Sequence, residues 1–357
     1  MTQAIALTGT VSKAWLAEQL DVRFSRDYYF DPEERHRTDS RCNAHVAATF
    51  PDLDLFYSES NLGQKAHWRD DMVLIGGIQP NMLLGMLLGA EFKPEDCRDA
   101  DISPDCLAGR KVDELPAPGS LVDHTLVALW RRQIADVRRL KLCPVPPFFW
   151  DASGRAAVHG PMTTAIKFFG TDFFGEMLES PETCDRVIAW LCDCYIVLCR
   201  HFAEVAGLKI SSLHIGECSG CMVNADTHRR FAIAPSDRMA EKLARVRFHS
   251  CGDSNHLFPS IRSARQLAAL DLGGASRLDA PRRDFGPDFP LEIAPLVADL
   301  RAPTERPILA WLERRLAENA GGPLIIKYHL EPGYRIENIR ALARRLAAVD
   351  RDMTRDD

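Results

Sequence analysis

The sequence predicts one large α/β domain, a (β/α)8 TIM-type barrel with an N-terminal helical extension, and three observations predict it. In the second half, apolar strand-like runs alternate with helical ones at least four times, the pattern of a parallel sheet with helical crossovers. No Gly-x-Gly-x-x-Gly turn follows any of these strands, which weighs against a dinucleotide-binding sheet. The reactive polar residues Glu217, Cys218, His249, Cys251 and His329 fall where predicted strands end, the face at which barrels carry active sites.

Each element has a local reason. Ser180-Pro181-Glu182 supplies an N-cap, a first-turn proline and an acid for a helix that runs through VIAWLCDCYIVLCRHFAEVA and stops at Gly207. LKISSLHIGEC then reads as a strand, THRRFAIAPSDRMAEKLA as mostly helix, and RVRFHSCG as a strand. LFPSIRSARQLAAL is expected to be a helix and ASRLDA a short strand. ERPILAWLERRLAENA is a helix stopped by Gly321-Gly322, PLIIKYHLEP the last strand, and IENIRALARRLAAVD the closing helix. In the first half, MVLIGG (72–77) reads as a strand and the proline-rich stretch 93–122 as a long loop. Residues 1–70, with RDYYFDPEERHRTDSRCNAH, form the expected helical extension, and 71–357 the barrel domain. No composition break, internal repeat or low-complexity tract divides the chain.

The 357 residues are 46% hydrophobic and 26% charged, ordinary values for a globular chain that buries a sizeable core. Net charge is −6, with acids and bases mixed, so there is no concentrated basic face for nucleic acid or an anionic membrane. No run approaches the roughly 18 to 20 apolar residues of a membrane span, and the N-terminus lacks a charged and then apolar leader. Of eleven cysteines, four (Cys184, Cys192, Cys194, Cys199) fall in one predicted helix, where free Cys acts as a small apolar residue. A reducing cytoplasm is the expected compartment.

The sharpest chemical signal is FHSCGDSNHLF (248–258). A His and a Cys two apart at the end of a strand point to one side and can grip one ion, and thiolate plus imidazole favours zinc. Gly252 lets the chain turn away, and Asp253 and His256 lie close enough to orient the loop. On the preceding strand, HIGECSGCMVN (214–224) brings Glu217, Cys218 and Cys221 to the same end. Cys218 and Cys221 would complete a four-coordinate site with His249 and Cys251, or merely pack, while Glu217 is the candidate catalytic carboxylate. His329, in IIKYHLEPGY, ends the predicted last strand on the same face. In the N-terminal arm, His36, Arg37 and Arg41 are candidates to meet a substrate carboxylate. No Gly-x-Ser-x-Gly, P-loop or His-Glu-x-x-His pattern occurs.

Four segments carry a resemblance: HGPMTTAIKFFGTDFFGEMLESPETCDRVI, GECSGCMVNADTHRRFAIAP, FHSCGDSNHLFPSI and YHLEPGYRIENIRAL. Over roughly residues 159–345 the chain resembles the uroporphyrinogen decarboxylase-like superfamily, and within it the cobamide-dependent methyltransferases. The Arg-Gln-Ala-Gly-Arg-Tyr segment of the decarboxylases has no counterpart here. The resemblance implies the same barrel and a zinc site of His249 and Cys251. Its third ligand, a Cys in those methyltransferases, corresponds here to His329. It further implies methyl transfer between a corrinoid and a thiol or a methylated small substrate. There is no Asp-x-His-x-x-Gly signature, so a separate partner protein would bring the corrinoid. The alternatives are a metal-assisted lyase or decarboxylase acting on a small acid, and a barrel with a structural zinc. A homodimer is the candidate assembly.

Overall fold

The computed structural model describes residues 5–58 and 65–353. Twelve strands occur in it: β1 Ile5–Val11, β2 Leu55–Phe56, β3 Met72–Leu74, β4 Phe92–Lys93, β5 Asp101–Ile102, β6 Cys143–Val145, β7 Arg155–His159, β8 Ser212–Gly216, β9 Val246–Ser250, β10 Leu267–Leu272, β11 Leu291–Ile293 and β12 Leu324–Leu330. Eight of them form one sheet in the order β2-β1-β12-β11-β10-β9-β8-β7, with every pairing parallel. That is chain order wrapped around, with the last strand lying beside the first, as in a TIM-like barrel.

The barrel is not closed by hydrogen bonds. β2 and β7 end the sheet, and among the described residues no ladder joins them. The connection between them carries the β3–β6 pair and the small antiparallel β4–β5 pair. It returns along the outer edge of β7, where Ala157 N donates to Phe148 O and Trp150 N to Arg155 O.

The first 70 residues are not an appendage. β1 pairs with β12 along its whole length, from Ile5 beside Leu324 to Val11 beside Leu330, so the expected N-terminal extension contributes one internal strand, β1, and the edge strand β2. ALTG is short and neutral, but it meets an apolar β12 whose edge would otherwise be open. The helical reading does hold at Lys13–Leu20, Arg26–Phe30 and Pro32–Thr49. Asp31 caps the last of these by accepting from Glu33 N and Glu34 N. Residues 1–4 and 59–64 of the expected extension lie outside the described residues.

Two assignments reverse. The helix expected over 257–270 is only Phe258–Ile261, and β10 takes the rest, hydrogen-bonded on both sides by β9 and β11. Ala, Gln and Leu favour helix, but a central strand slot with two partners outweighs that propensity. The strand expected at ASRLDA is a turn leading into the helix Asp279–Phe285, and the slot is filled by the three residues of β11. Elsewhere the helix Pro181–Ala206 has Pro181 at its start and left-handed Gly207 at its end, and it buries Cys184, Cys192, Cys194 and Cys199. No helix among the described residues is long and apolar enough to cross a membrane.

Candidate metal centre

The site is built on the carboxyl ends of β8 and β9. Strand alternation sends Arg247 and His249 of β9 to the same face as His214 of β8 and Asp271 of β10, while Ile215, Phe248 and Leu270 pack outward under the helices. Past the last β8 residue, Glu217 N still donates to His249 O, which holds the two strand ends in register. Gly252, at φ +71°, then turns the chain back, and Cys251 faces Cys218.

His249 Nε2 is 2.9 Å from Cys251 Sγ, and Cys251 Sγ is 3.4 Å from Cys218 Sγ. Among the described residues these three form the only group of three or more His, Cys, Asp or Glu side chains whose ligand atoms all lie within 4.8 Å of one another. The spacing suits a metal. Around a tetrahedral zinc two thiolates sit about 3.8 Å apart, so slight side-chain rotation would admit the ion. Two thiols and one imidazole are also a zinc donor set.

Beneath the thiols lies a charged layer. Asp271 Oδ2 is 2.7 Å from His249 Nδ1 and accepts from Arg247 Nη2 and Lys327 Nζ, each at 2.8 Å. Glu292 of β11 shares both cations, and Arg247 Nη1 also donates to His214 Nδ1 at 2.7 Å. Two buried acids thus meet two partly buried bases, which lets all four remain charged at the sheet. Burial opposes a charge on His249, but the Asp271 carboxylate overrides it and raises the imidazole to about 9. The thiol of Cys251 is held low, first by the hydrogen bond from Cys218 and then by His249. Both shifts favour an imidazolium–thiolate pair, whose shared proton a divalent cation would displace.

The other candidates fall elsewhere. His329 does not join the thiols: its Nδ1 is 2.8 Å from Thr10 Oγ1 and its Nε2 is 3.6 Å from Glu331 Oε1. Burial pushes this ring down to about 4. Its backbone slot matches the expectation, but β12 lies three strands from β9, and Thr10 of β1 claims the ring from the other side. Cys221 makes its contact with the carbonyl of Cys218, at 3.6 Å, and stands outside the trio. Glu217 is fully buried. It accepts from Met162 N at 3.2 Å, Thr163 N at 3.0 Å and Thr163 Oγ1 at 2.8 Å, capping the helix Pro161–Phe169 from a neighbouring loop. Gly160 makes room for it, because a Cβ there would lie 1.9 Å from the carboxyl carbon. Burial outweighs these donors and lifts Glu217 to about 7. In the N-terminal arm Arg37 pairs with Glu34, Arg41 donates to Leu20 O, and His36 lines a cavity beside β2. His256 approaches Val223 O, and Asp253 accepts from Asn255 N.

No family model matches the sequence, and no curated protein does. Among solved structures, a methyltransferase from Methanosarcina mazei is similar with a TM-score of 0.64 at 11% sequence identity. The match covers 99% of this chain and 95% of that one. The two share a fold. At that identity the likeness is one of architecture, and the thiol site must be judged on its own geometry.

Sequence reasoning missed Asp271 and Glu292. Asp271 lay in a segment next to an expected helix, and Glu292 in a strand too short to show alternation. The available signal was Gly273-Gly274, a turn marker that ends the apolar run through Leu272 just after Asp271.

Proposed function

We propose that the protein is a zinc-dependent methyltransferase that moves a methyl group between a corrinoid, supplied by a separate protein, and a thiol or methylated small substrate. The convergence of Cys218, His249 and Cys251 at the carboxyl end of a TIM-like sheet carries the reading, and the shared fold supports it. These three residues would hold the zinc. With three protein ligands the fourth position is left to substrate, as in catalytic rather than structural zinc sites. When bound, the ion would lower the pKa of a substrate thiol so that the sulfur reacts as thiolate.

The chain's own residues prepare that reaction. Asp271 fixes the ring of His249 so that Nε2 faces the thiols, and Arg247 and Lys327 hold Asp271 in turn. Glu217, lifted to about 7 and next in sequence to Cys218, is the proposed acceptor of the thiol proton. For the decarboxylase alternative, Arg37 and Arg41 are engaged on their own helix and its neighbour, which leaves His36, in the lining of a cavity beside β2, as the group of the N-terminal arm that could meet a carboxylate.

The test is thiol-dependent demethylation of methylcobalamin by zinc-loaded protein, followed by its visible spectrum under anaerobic conditions. Turnover that needs zinc, and is lost in Cys251→Ser, supports the reading. A rate equal to that of protein-free thiol plus zinc would overturn it.

A further inference from the structure

The two sulfurs of the candidate metal centre are also placed to bond to each other. Gly216 of β8 and His249 of β9 are register partners, and Cys218 and Cys251 each lie two residues further along. Glu217 N, donating to His249 O at 2.9 Å, carries the pairing one step past the end of β8. Neighbouring strands run about 4.8 Å apart, inside the roughly 4.4 to 6.8 Å between α-carbons that a disulfide spans. The sulfurs themselves are 3.4 Å apart. Thiolates around a tetrahedral zinc sit about 3.8 Å apart and a disulfide brings sulfurs to about 2.05 Å, so small side-chain rotations lead from this spacing to either state.

Access separates this pair from most of the other cysteines. Cys184, Cys192, Cys194 and Cys199 are buried on one helix, whereas Cys218 and Cys251 are partly exposed beyond the strand ends. A third thiol, Cys221, stands nearby, where a Cβ on Gly252 would meet its Sγ at 3.4 Å. That sulfur is turned to the Cys218 carbonyl at 3.6 Å, so the sulfur that faces Cys251 is that of Cys218.

We propose that Cys218 and Cys251 are a redox-modification site: a peroxide closes a disulfide between them, and the disulfide excludes the metal. The bond rests on the sulfur geometry alone, and its effect on the zinc reading above. One sulfur attacks the peroxide O–O bond and becomes a sulfenic acid, and water leaves. The other sulfur then displaces the sulfenic hydroxyl, which leaves with the second thiol proton as another water. Two thiols thereby lose two electrons and two protons, the peroxide accepts both, and one S–S bond forms. From the metal-bound state the zinc leaves as the divalent ion, and solvent supplies the two protons. Of the trio only His249 is then left, and one imidazole does not make a zinc site. In a reducing compartment such a bond is transient, and a thiol reductant reopens it.

The full chain is tested in two forms. Reduced, metal-free protein receives one equivalent of hydrogen peroxide, is alkylated and is mapped by peptide mass. The Cys218–Cys251 cross-link should be the principal product, in wild type and in Cys221→Ser alike, and dithiothreitol should reverse it. Zinc-loaded protein, treated in the same way beside a chromophoric chelator, should release one zinc for each disulfide formed. A cross-link from Cys221 to either sulfur, or oxidation scattered over the other cysteines, would overturn the switch and leave the zinc reading intact. A Cys218–Cys251 disulfide that forms while zinc stays bound would overturn the trio as its holder and the switch together. Reduced protein that takes up no zinc would overturn the zinc reading, and the switch with it, whatever the cross-link.

Discussion

His249 shows how a single side chain can be set up to bind a metal. Its ring is held on one side by Asp271 at 2.7 Å and faces Cys251 on the other at 2.9 Å, so only one nitrogen is available to an ion. Removing the Asp271 charge with Asp271→Asn should weaken zinc binding by about 10- to 100-fold while leaving stoichiometry at saturation unchanged, measured by competition with a chromophoric chelator. An unchanged affinity would show that the carboxylate does not act through the ring. The same assay separates the trio from His329, which the family resemblance placed beside it. Cys218→Ser, His249→Ala and Cys251→Ser should each lose most zinc, whereas His329→Ala should keep it, because Thr10 and Glu331 occupy that ring. His249 and Cys251 were legible as a pair because a two-residue spacing on a strand fixes a common side. The third partner was not, since which strand end faces it depends on strand order and loop path. Cys218 was visible only as an alternative, and Asp271 not at all.

At the scale of elements, the helix Pro161–Phe169 takes its N-terminal acceptor from another segment. Glu217 satisfies the N–H groups of Met162 and Thr163, which are otherwise unpaired at a helix start. Glu217→Ala should cost about 1 to 3 kcal/mol in urea unfolding of the metal-free protein, and Glu217→Gln clearly less, because the amide oxygen can still accept. Equal losses would mean that the hydrogen bonds are not the cause. A second element carries a buried acid that is likewise raised by burial. Asp39, on the helix Pro32–Thr49, is raised from 3.8 to about 6, by burial that outweighs Arg35 and Tyr28. A folded-state value above the unfolded one means that the fold binds the proton more tightly. The stability from this group is therefore complete below about pH 4 and is lost as pH rises through about 6. Asp39→Asn should flatten the stability profile between those values relative to wild type, and a profile of unchanged slope would contradict the assignment. Helix boundaries were readable where caps and prolines mark them, as at Ser180-Pro181 and Gly207. β10 and β11 were not, because Ala- and Leu-rich strands with two partners lose the alternation that betrays half-buried ones.

Across the whole molecule, the alternation of strand and helix made the parallel sheet legible, but not its incomplete closure. That depends on β2 being two residues long and on the chain after β6 folding back against β7. The seam should be the least protected part of the sheet. Amide hydrogen exchange is expected to be slowest in β9, β10 and β12, which are paired on both sides, and fastest in β2, with no protection intermediate shared by the whole sheet. Uniform protection from β2 to β12 would indicate a closed barrel in solution. The central claim is that Cys218, His249 and Cys251 hold one zinc and leave one position open. Zinc-edge X-ray absorption on protein purified without chelator tests it most directly. The account predicts two sulfur neighbours at about 2.3 Å, one imidazole nitrogen at about 2.0 to 2.1 Å and one light atom from solvent. A shell of three sulfurs and one nitrogen would bring in Cys221 and make the site structural, and a protein that takes up no zinc would contradict the account outright.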